Sequence, residues 1–372
     1  MIRILQIVDH VAISSGVSSI IMNIYRNIDR EKVQFDFLVS NRRTDSYEAE
    51  IRKLGGHVYY IGNPLSPKTV VSACRNSRNF FRKHAGTYTA VHLNSPTIAE
   101  MTVRYARRYG IKNIIIHSHS SMFSDHPVKK LLNTCLTARI KKYATHAWYC
   151  SDQAGKFLFG DRYKELPGSE WIRNGIEAEA KSFHPDIRKQ IRTQYALENK
   201  KVACHVSNFS PIKNLEFLVP VMQRLYKKDS SWHFLFVGDG PCKEAVEEKI
   251  KQLGLGSACT FTGFSDKVGE YLNAADVFLL PSIREGLPVV AVEAQACGLP
   301  CFLSDSITRQ ADTGGCVYLP LERKEWYLQL TKFKVRSEKE RKADSAKFAE
   351  SAFNIKKEAR RIEQLYRNMD KE

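Results

Sequence analysis

Ten short apolar runs, each reading as a buried strand, recur along this 372-residue chain with helical patterns between most of them. The predicted strands are 2–8, 35–39, 58–61, 90–93, 114–117, 147–150, 202–206, 233–237, 260–261 and 277–280. Helical patterns include 18–27, 47–54, 215–227 and 242–253. Regular alternation of this kind predicts parallel sheets covered by helices on both faces. Ten strands suit two doubly wound domains better than one sheet. Such sheets bind ligands beyond the carboxyl ends of their strands, so a site in a cleft between two facing domains is expected. The expected division is 1–176, 177–350 and a terminal segment 351–372 that packs back on the first domain. The boundary is placed near Ile172-Arg173-Asn174-Gly175-Ile176, followed by a polar segment from Lys181 to Glu198, and 346–370 reads as one charged helical pattern.

Hydrophobic content of 43% and charged content of 26% fit an ordinary globular protein, and no window approaches the apolar length of a membrane span. Nine cysteines lie scattered without a CxxC pair, several in apolar surroundings (Cys150, Cys204, Cys297), so reduced core thiols and a cytoplasmic setting are expected. The net charge is +17 and uneven: residues 1–180 carry 26 Lys+Arg against 15 Asp+Glu, or +11, and the remainder, 31 against 25, carries +6. A basic first half implies an anionic partner, with nucleic acid, a phospholipid surface and a phosphorylated substrate in competition. Between Pro127 and Tyr143, Leu131, Leu132, Cys135, Leu136 and Ile140 recur at helical spacing beside Lys129, Lys130, Arg139, Lys141 and Lys142. A basic amphipathic helix can lie on an anionic membrane or simply face solvent. Arg104, Arg107, Arg108 and Lys112 extend the patch. Nucleic acid is disfavoured, because these cations are not interleaved with exposed aromatics and no recognition motif occurs.

The most specific local feature is Glu285 and Glu293 in Pro281-Ser282-Ile283-Arg284-Glu285-Gly286-Leu287-Pro288-Val289-Val290-Ala291-Val292-Glu293. Gly286 and Pro288 mark a turn into a helix expected over 288–297, with Pro288 at its first position and Gly298 just past its end. Eight residues of helix turn by about 80° and rise about 12 Å, so the two carboxylates can hold two parts of one elongated, hydroxyl-rich ligand. The rest of the helix is small and apolar, which implies burial, and a buried glutamate needs a partner.

Four further clusters follow predicted strands. Ser14-Ser15-Gly16-Val17 opens a helix whose amides can approach a phosphate. His117-Ser118-His119 ends the fifth strand; the two rings are expected on opposite faces, one packed and one aimed at the cleft, a poor metal pair. Ser207-Asn208-Phe209-Ser210-Pro211-Ile212-Lys213-Asn214 ends in a lysine able to hold a phosphate by point charge. Gly238-Asp239-Gly240-Pro241 has Lys243 where a dinucleotide fingerprint needs its third glycine, and no acidic residue ends the next strand, so a nicotinamide site is rejected.

Taken in order, these clusters make the chain similar to the retaining glycosyltransferases of family 4, with the GT-B fold of two Rossmann-like domains facing a cleft. Asn27-Ile28-Asp29-Arg30, Phe35-Asp36-Phe37-Leu38, His117-Ser118-His119-Ser120, Ser304-Asp305-Ser306-Ile307-Thr308 and Trp326 resemble the EpsF-like branch that builds exopolysaccharide and capsule. The resemblance runs from Ile2 to about Tyr366 and implies roles. Glu293 would bind a nucleotide ribose and Glu285 hydroxyls of the donor sugar. Lys213 would neutralise the diphosphate leaving group, helped by Asn208 and by amides at Gly16 and Leu287, Pro288 and Val289. His119 would touch the donor sugar, and Phe264 to Val268 would border the base. No metal or other cofactor is implied, and no DxD motif occurs. Two departures stand out: Asn208 replaces a usual Arg, losing a bidentate phosphate clamp, and Ser15-Gly16 replaces Gly-Gly.

The expected function is hexosyl transfer from a nucleotide sugar, UDP-linked, to a saccharide carried on polyprenyl diphosphate, at the inner face of the plasma membrane. The alternatives are a degenerate nucleotide-sugar-binding protein and a transferase with a soluble acceptor.

Overall fold

The structure, a computed structural model, describes residues 1–63, 68–95, 99–119 and 140–370. These residues form two compact units, Met1–Gly175 with Ile355–Glu372, and Ile176–Asn354. The first unit holds a parallel sheet of seven strands in the order β3-β2-β1-β4-β5-β6-β7. They are β1 (Ile2–Val8), β2 (Val33–Val39), β3 (Val58–Tyr60), β4 (Ala90–Leu93), β5 (Asn113–Ser118), β6 (His146–Tyr149) and β7 (Glu170–Trp171). Its helices are α1 (Gly16–Asn27), α2 (Glu48–Lys53), α3 (Val70–His84), α4 (Ala99–Arg108) and α5 (Asp152–Phe159). The second unit holds a sheet of six, β10-β9-β8-β11-β12-β13. Its strands are β8 (Lys201–Val206), β9 (Trp232–Val237), β10 (Cys259–Phe261), β11 (Val277–Leu280), β12 (Cys301–Ser304) and β13 (Cys316–Leu319). Between and after them run α6 (Pro185–Gln194), α7 (Leu215–Lys228), α8 (Lys243–Gln252), α9 (Val268–Ala274), α10 (Val289–Ala296), α11 (Arg323–Lys332) and α12 (Glu338–Ala349). The last helix, α13 (Ile355–Met369), returns to the first unit.

The strands read as unbroken apolar runs because both faces are covered. In β9, Phe234 and Phe236 join one apolar cluster while Leu235 and Val237 join another, and β8 divides Ala203 from Val202, Cys204 and Val206 in the same way. Each fully buried side chain of this kind contributes roughly 1.5–3 kcal/mol.

Ten of these strands coincide with the runs read from sequence, within a residue or two at each end. Three were missed. β7 is two residues long; β12 follows α10 so closely that its apolar residues merge with the helical pattern; β13 is a half-exposed edge. The terminal pattern is not one helix but α12 and α13, separated by Glu350–Asn354. Ser337 and Glu340 start α12 with a reciprocal capping box.

The chain passes from one unit to the other twice, and the two passages are joined. Ile176 N donates to Phe353 O at 2.9 Å, and Ile176 bridges Asn354 in parallel. A Cβ on Gly175 would lie 3.0 Å from Ile355 Cα, so the Asn-Gly-Ile sequence is fixed by the close approach of two backbones.

Of the basic helix anticipated over 127–143, residues 127–139 lie outside the described residues. Ile140–Tyr143 is a single 3₁₀ turn with Ile140 in the core. Arg104, Arg107, Arg108 and Lys112 are exposed, and Arg107 and Lys112 line an open groove with His146 at the amino ends of β5 and β6. Among the described residues, no helix is long and apolar enough to cross a membrane.

Candidate functional site

In the second unit the strand order reverses between β8 and β11, and ligands of doubly wound sheets bind beyond the carboxyl ends of strands at such a point. The loops leaving these two strands are tied together: Ile283 N donates to Ile212 O at 2.8 Å and Asn214 Nδ2 to Pro281 O at 3.3 Å. After β8 the chain makes the 3₁₀ turn Pro211–Lys213, then reverses through Asn214 at φ 55° into α7. Asparagine is among the few residues that tolerate this left-handed conformation. The result places Lys213 Nζ 2.7 Å from Glu285 Oε1. Ser282, fully buried, donates its Oγ to the same carboxylate oxygen at 2.7 Å. Lys213 and Glu285 are 17% and 12% exposed, so the pair is little screened but remains open to a ligand.

Glu293 lies on α10, and its partner is Lys181, whose Nζ is 2.9 Å from Glu293 Oε1. Sequence reasoning required a partner for a glutamate on so apolar a helix but did not find Lys181, which sits in a segment that reads as a polar connection. Each of the two glutamates thus holds a lysine of its own. Pro288 caps α10 rather than forming its first turn, with φ −75° and ψ 88°. The amide of Val289 therefore opens the helix, beside Leu287. At the other end Gly298 has φ 67°, with Gly298 N bonded to Gln295 O and Leu299 N to Ala294 O. That pattern is the Schellman cap.

Asn208 is exposed, and its Oδ1 accepts from Ser210 Oγ at 3.1 Å. Gly238 and Gly240, at φ 129° and 151°, serve this loop: a Cβ on either would stand 1.8 Å from Ser207 O or 2.3 Å from Asn208 O. The Gly-Asp-Gly-Pro turn is thus a packing device for the loop after β8. His205, buried in β8, holds Leu279 O and Ser207 Oγ through its two nitrogens, and burial lowers it to about 4. Phe264 is 76% exposed, and Val268 opens α9 against the core.

In the first unit the order reverses between β1 and β4. Gly16 begins α1 behind the cap Ser15, whose side chain accepts from Ser18 N. Nothing lies within 4 Å of the position its Cβ would take. Ser14 Oγ, bonded to Asp45 Oδ2 at 2.6 Å, pins the turn.

His117 and His119 correct the sequence reading. Residues two apart on a strand share a face, and their ring centroids are 3.8 Å apart with planes inclined by 35°. His119 Nε2 bonds Asn94 Oδ1 at 2.8 Å, and His117 Nδ1 bonds His92 Nε2 at 3.1 Å. His92 Nδ1 meets Tyr366 Oη of α13 at 2.6 Å. Burial pushes His119 down to about 4 and His92 and His117 well below the usual range, so all three rings are neutral near pH 7. His119 can therefore position a polar ligand but supplies no positive charge. Asn94, Gln6, His92 and Tyr366 were not anticipated; a strand such as Ala90-Val91-His92-Leu93 ending in Asn94 signals nothing until its neighbours are known.

The described cysteines are unpaired, and burial raises the thiols of Cys150 and Cys297 to about 12. Such groups are packing elements rather than nucleophiles.

The family model described as glycosyl transferases group 1 matches residues 187–313. The chain is 34% identical over 306 residues to the glycosyltransferase EpsF of Bacillus subtilis (strain 168), covering 80% of this chain and 78% of that one. It is 25% identical over 226 residues to the UDP-Gal:alpha-D-GlcNAc-diphosphoundecaprenol alpha-1,3-galactosyltransferase of Escherichia coli, covering 59% of this chain and 58% of that one. In fold it matches Anabaena HepE, solved with UDP and glucose, at a TM-score of 0.76 and 16% identity, over 98% of this chain and 99% of that one. Two parallel sheets flanked by helices, in this match, make the fold GT-B. On its likeness to EpsF over most of both chains, the protein belongs to the group 1 glycosyltransferases.

Proposed function

We propose that this enzyme is a retaining family 4 transferase that moves a hexose from a UDP-sugar to a saccharide carried on polyprenyl diphosphate, in exopolysaccharide or capsule synthesis. The observation that carries the reading is the Lys213–Glu285 pair at the switch point of the second sheet. A cation and a carboxylate held together there match the two needs of glycosyl transfer. Lys213 takes the charge that develops on a departing diphosphate, which is where fixed positive charge lowers the barrier most. Glu285 accepts hydrogen bonds from sugar hydroxyls, and Glu293, one helix turn and more beyond, accepts from a ribose.

The amides of Leu287, Val289 and Gly16 add neutral donors to the phosphates. Lys213 and these amides, rather than a divalent cation, are assigned the leaving group. His119, neutral, orients the donor sugar. Attack on the same face as the departing diphosphate gives retention without a covalent enzyme intermediate. The UDP assignment and the lipid-linked acceptor are supported by the names of the galactosyltransferase and HepE relatives. The basic first half of the chain, +11 over residues 1–180, suits an acceptor bearing diphosphate at an anionic inner membrane face.

The test is transfer from a panel of UDP-, GDP- and ADP-sugars to polyprenyl-diphosphate saccharides, with anomeric configuration read by NMR and with a chelator present. The expected result is one UDP-sugar, an α product from an α donor, and no loss to the chelator. Binding of UDP that Glu293→Ala abolishes, without transfer to any acceptor, would instead leave a nucleotide-sugar-binding protein. Transfer to a free saccharide, with no pelleting on anionic vesicles at low salt, would make the acceptor soluble.

A further inference from the structure

We infer that Lys181 is a specificity-determining residue: beside Glu293 it supplies the donor half of a seat for one ribose hydroxyl, and so discriminates against deoxyribose nucleotides. The inference rests on the donor-site reading of Glu293 and adds to it a residue that reading does not contain.

Lys181 belongs to a polar connection, yet its backbone is held on several sides. Lys181 N donates to Glu177 O at 3.0 Å, and Lys181 O accepts from Cys297 Sγ at 3.1 Å. Just beyond it, the Asn273 side chain accepts from His184 N at 2.7 Å and donates to Ser182 O at 3.4 Å. Phe183 N donates to Ser345 Oγ at 3.1 Å. These bonds fasten the segment to the carboxyl ends of α9 and α10 and to α12. From that anchor the side chain runs along the first turn of α9, where a Cβ on Gly269 would lie 3.7 Å from Lys181 Cδ. Its ammonium ends 2.9 Å from Glu293 Oε1. A backbone and stem fixed in this way leave little rotamer freedom for a ligand to remove.

The other ion pair of this unit shows what such an arrangement holds. At Glu285 a lysine and a hydroxyl meet one carboxylate oxygen, with Lys213 Nζ and Ser282 Oγ each 2.7 Å from Oε1. At Glu293 the lysine is present, but among the described residues no hydroxyl bonds the carboxylate. A ligand hydroxyl brought there gives its proton to Glu293 and accepts one from Lys181, whose ammonium has three N–H groups and spends one on Glu293. A C–H in its place leaves both charged groups without that partner. The two charges cancel, so the pair selects by hydrogen bonding and leaves the attraction of phosphate to Lys213. Its position suits a ribose. Val268, expected at the border of the base, opens α9 one residue before Gly269, so Lys181 stands between the base border and the ribose carboxylate. Exposures of 27% for Lys181 and 18% for Glu293 keep both within reach of a ligand.

The experiment is titration calorimetry on the full chain with UDP, 2′-deoxy-UDP and 3′-deoxy-UDP. In the unaltered enzyme one of the two analogues should bind about 10-fold or more weakly than UDP, the loss expected for a hydrogen bond to a charged group. Lys181→Met keeps an unbranched stem and removes the donor. It should cut the preference for UDP over that analogue about 3- to 10-fold, on top of any loss that the uncovered Glu293 charge imposes equally on all three nucleotides. Lys181→Arg, which restores charge and donors, should recover most of the preference. Melting curves without ligand check folding, and Lys181→Gln replaces Lys181→Met in the same titrations if the latter is damaged. A lysine that only braces α10 would weaken all three nucleotides alike. An undiminished preference in the folded variant, or equal binding of UDP and both analogues by the unaltered enzyme, therefore overturns the inference. Because binding is read without turnover, the predicted ratios with no transfer to any acceptor count against the transferase reading alone. No binding of UDP overturns both.

Discussion

Replacing either member of the Lys213–Glu285 pair should shift nucleotide binding in opposite directions. In the free enzyme Lys213 is held by Glu285 at 2.7 Å, so a diphosphate must share or displace that carboxylate. Lys213→Ala removes one hydrogen bond between charged groups, worth about 1.5–3 kcal/mol, and should weaken UDP binding about 10- to 150-fold. Glu285→Gln leaves an amide oxygen that Lys213 and Ser282 can still use, but removes the negative charge competing for the lysine. UDP itself should then bind as tightly as in the unaltered enzyme, or up to about 5-fold more tightly. The same variant should lose about tenfold or more in kcat/KM for the intact UDP-sugar, because a neutral amide is a weaker acceptor for sugar hydroxyls. Titration calorimetry with UDP and initial-rate kinetics with the donor separate the two effects, and unfolding curves without ligand show whether either variant is damaged. If Glu285→Gln weakens UDP as strongly as Lys213→Ala does, the pair is a structural brace and the assignment of roles is wrong.

Asn208→Arg should restore a second cation at the phosphate end and tighten UDP binding up to about tenfold, read by the same calorimetry; no change would mean the exposed loop does not face the phosphates. Gly298→Ala should be severely destabilising, by about 1–3 kcal/mol from the positive φ alone and further from a Cβ 2.3 Å from Arg341 O, seen as a lowered Tm with or without donor. The depressed histidines predict acid sensitivity. Unfolded, each takes a proton near pH 6.5, whereas His119, His205 and His233 are held at about 4 when folded. The unfolded chain thus binds more protons between those values, and stability must fall as pH drops from 6.5 towards 4, by up to about 1.4 kcal/mol per pH unit for each group. Denaturant midpoints at pH 7 and 5 measure it, and His233→Gln should reduce the slope.

The fold was legible because both sheets bury both faces, so strands such as Val277–Leu280 stand out as apolar runs without reference to anything distant. Short edge strands, Glu170–Trp171 and Cys316–Leu319, carry too little burial to leave such a mark. The site divides in the same manner. Glu285 and Glu293 could be picked out because charge next to apolar sequence is conspicuous, and Lys213 because a lysine closes the loop between a strand and a helix. Their partners could not: Lys181 is 112 residues from Glu293 and looks like any loop lysine, and Ser282 owes its role to being buried beside Glu285. His117 and His119 were misread for want of one rule, the alternation of strand side chains, which puts residues two apart together. Tyr366 is 274 residues from the histidine it bonds, a distance that no local pattern spans.

That distance has a consequence for how the protein is made. The first unit is assembled from both ends of the chain, and α13 is fastened along it. Glu358 accepts from Arg173 N at 2.9 Å and is paired with Arg361, Glu363 meets Asp29 N, and Tyr366 closes the histidine chain. On a ribosome, β1 to β7 emerge first, and Gln6 and His92 have no tyrosine partner until α13 is added. At ordinary elongation rates the intervening second unit imposes a wait of roughly 10–40 s. A chain cut before Ile355 would keep the whole of the second unit beside a first unit whose buried Gln6 and His92 have lost their tyrosine partner.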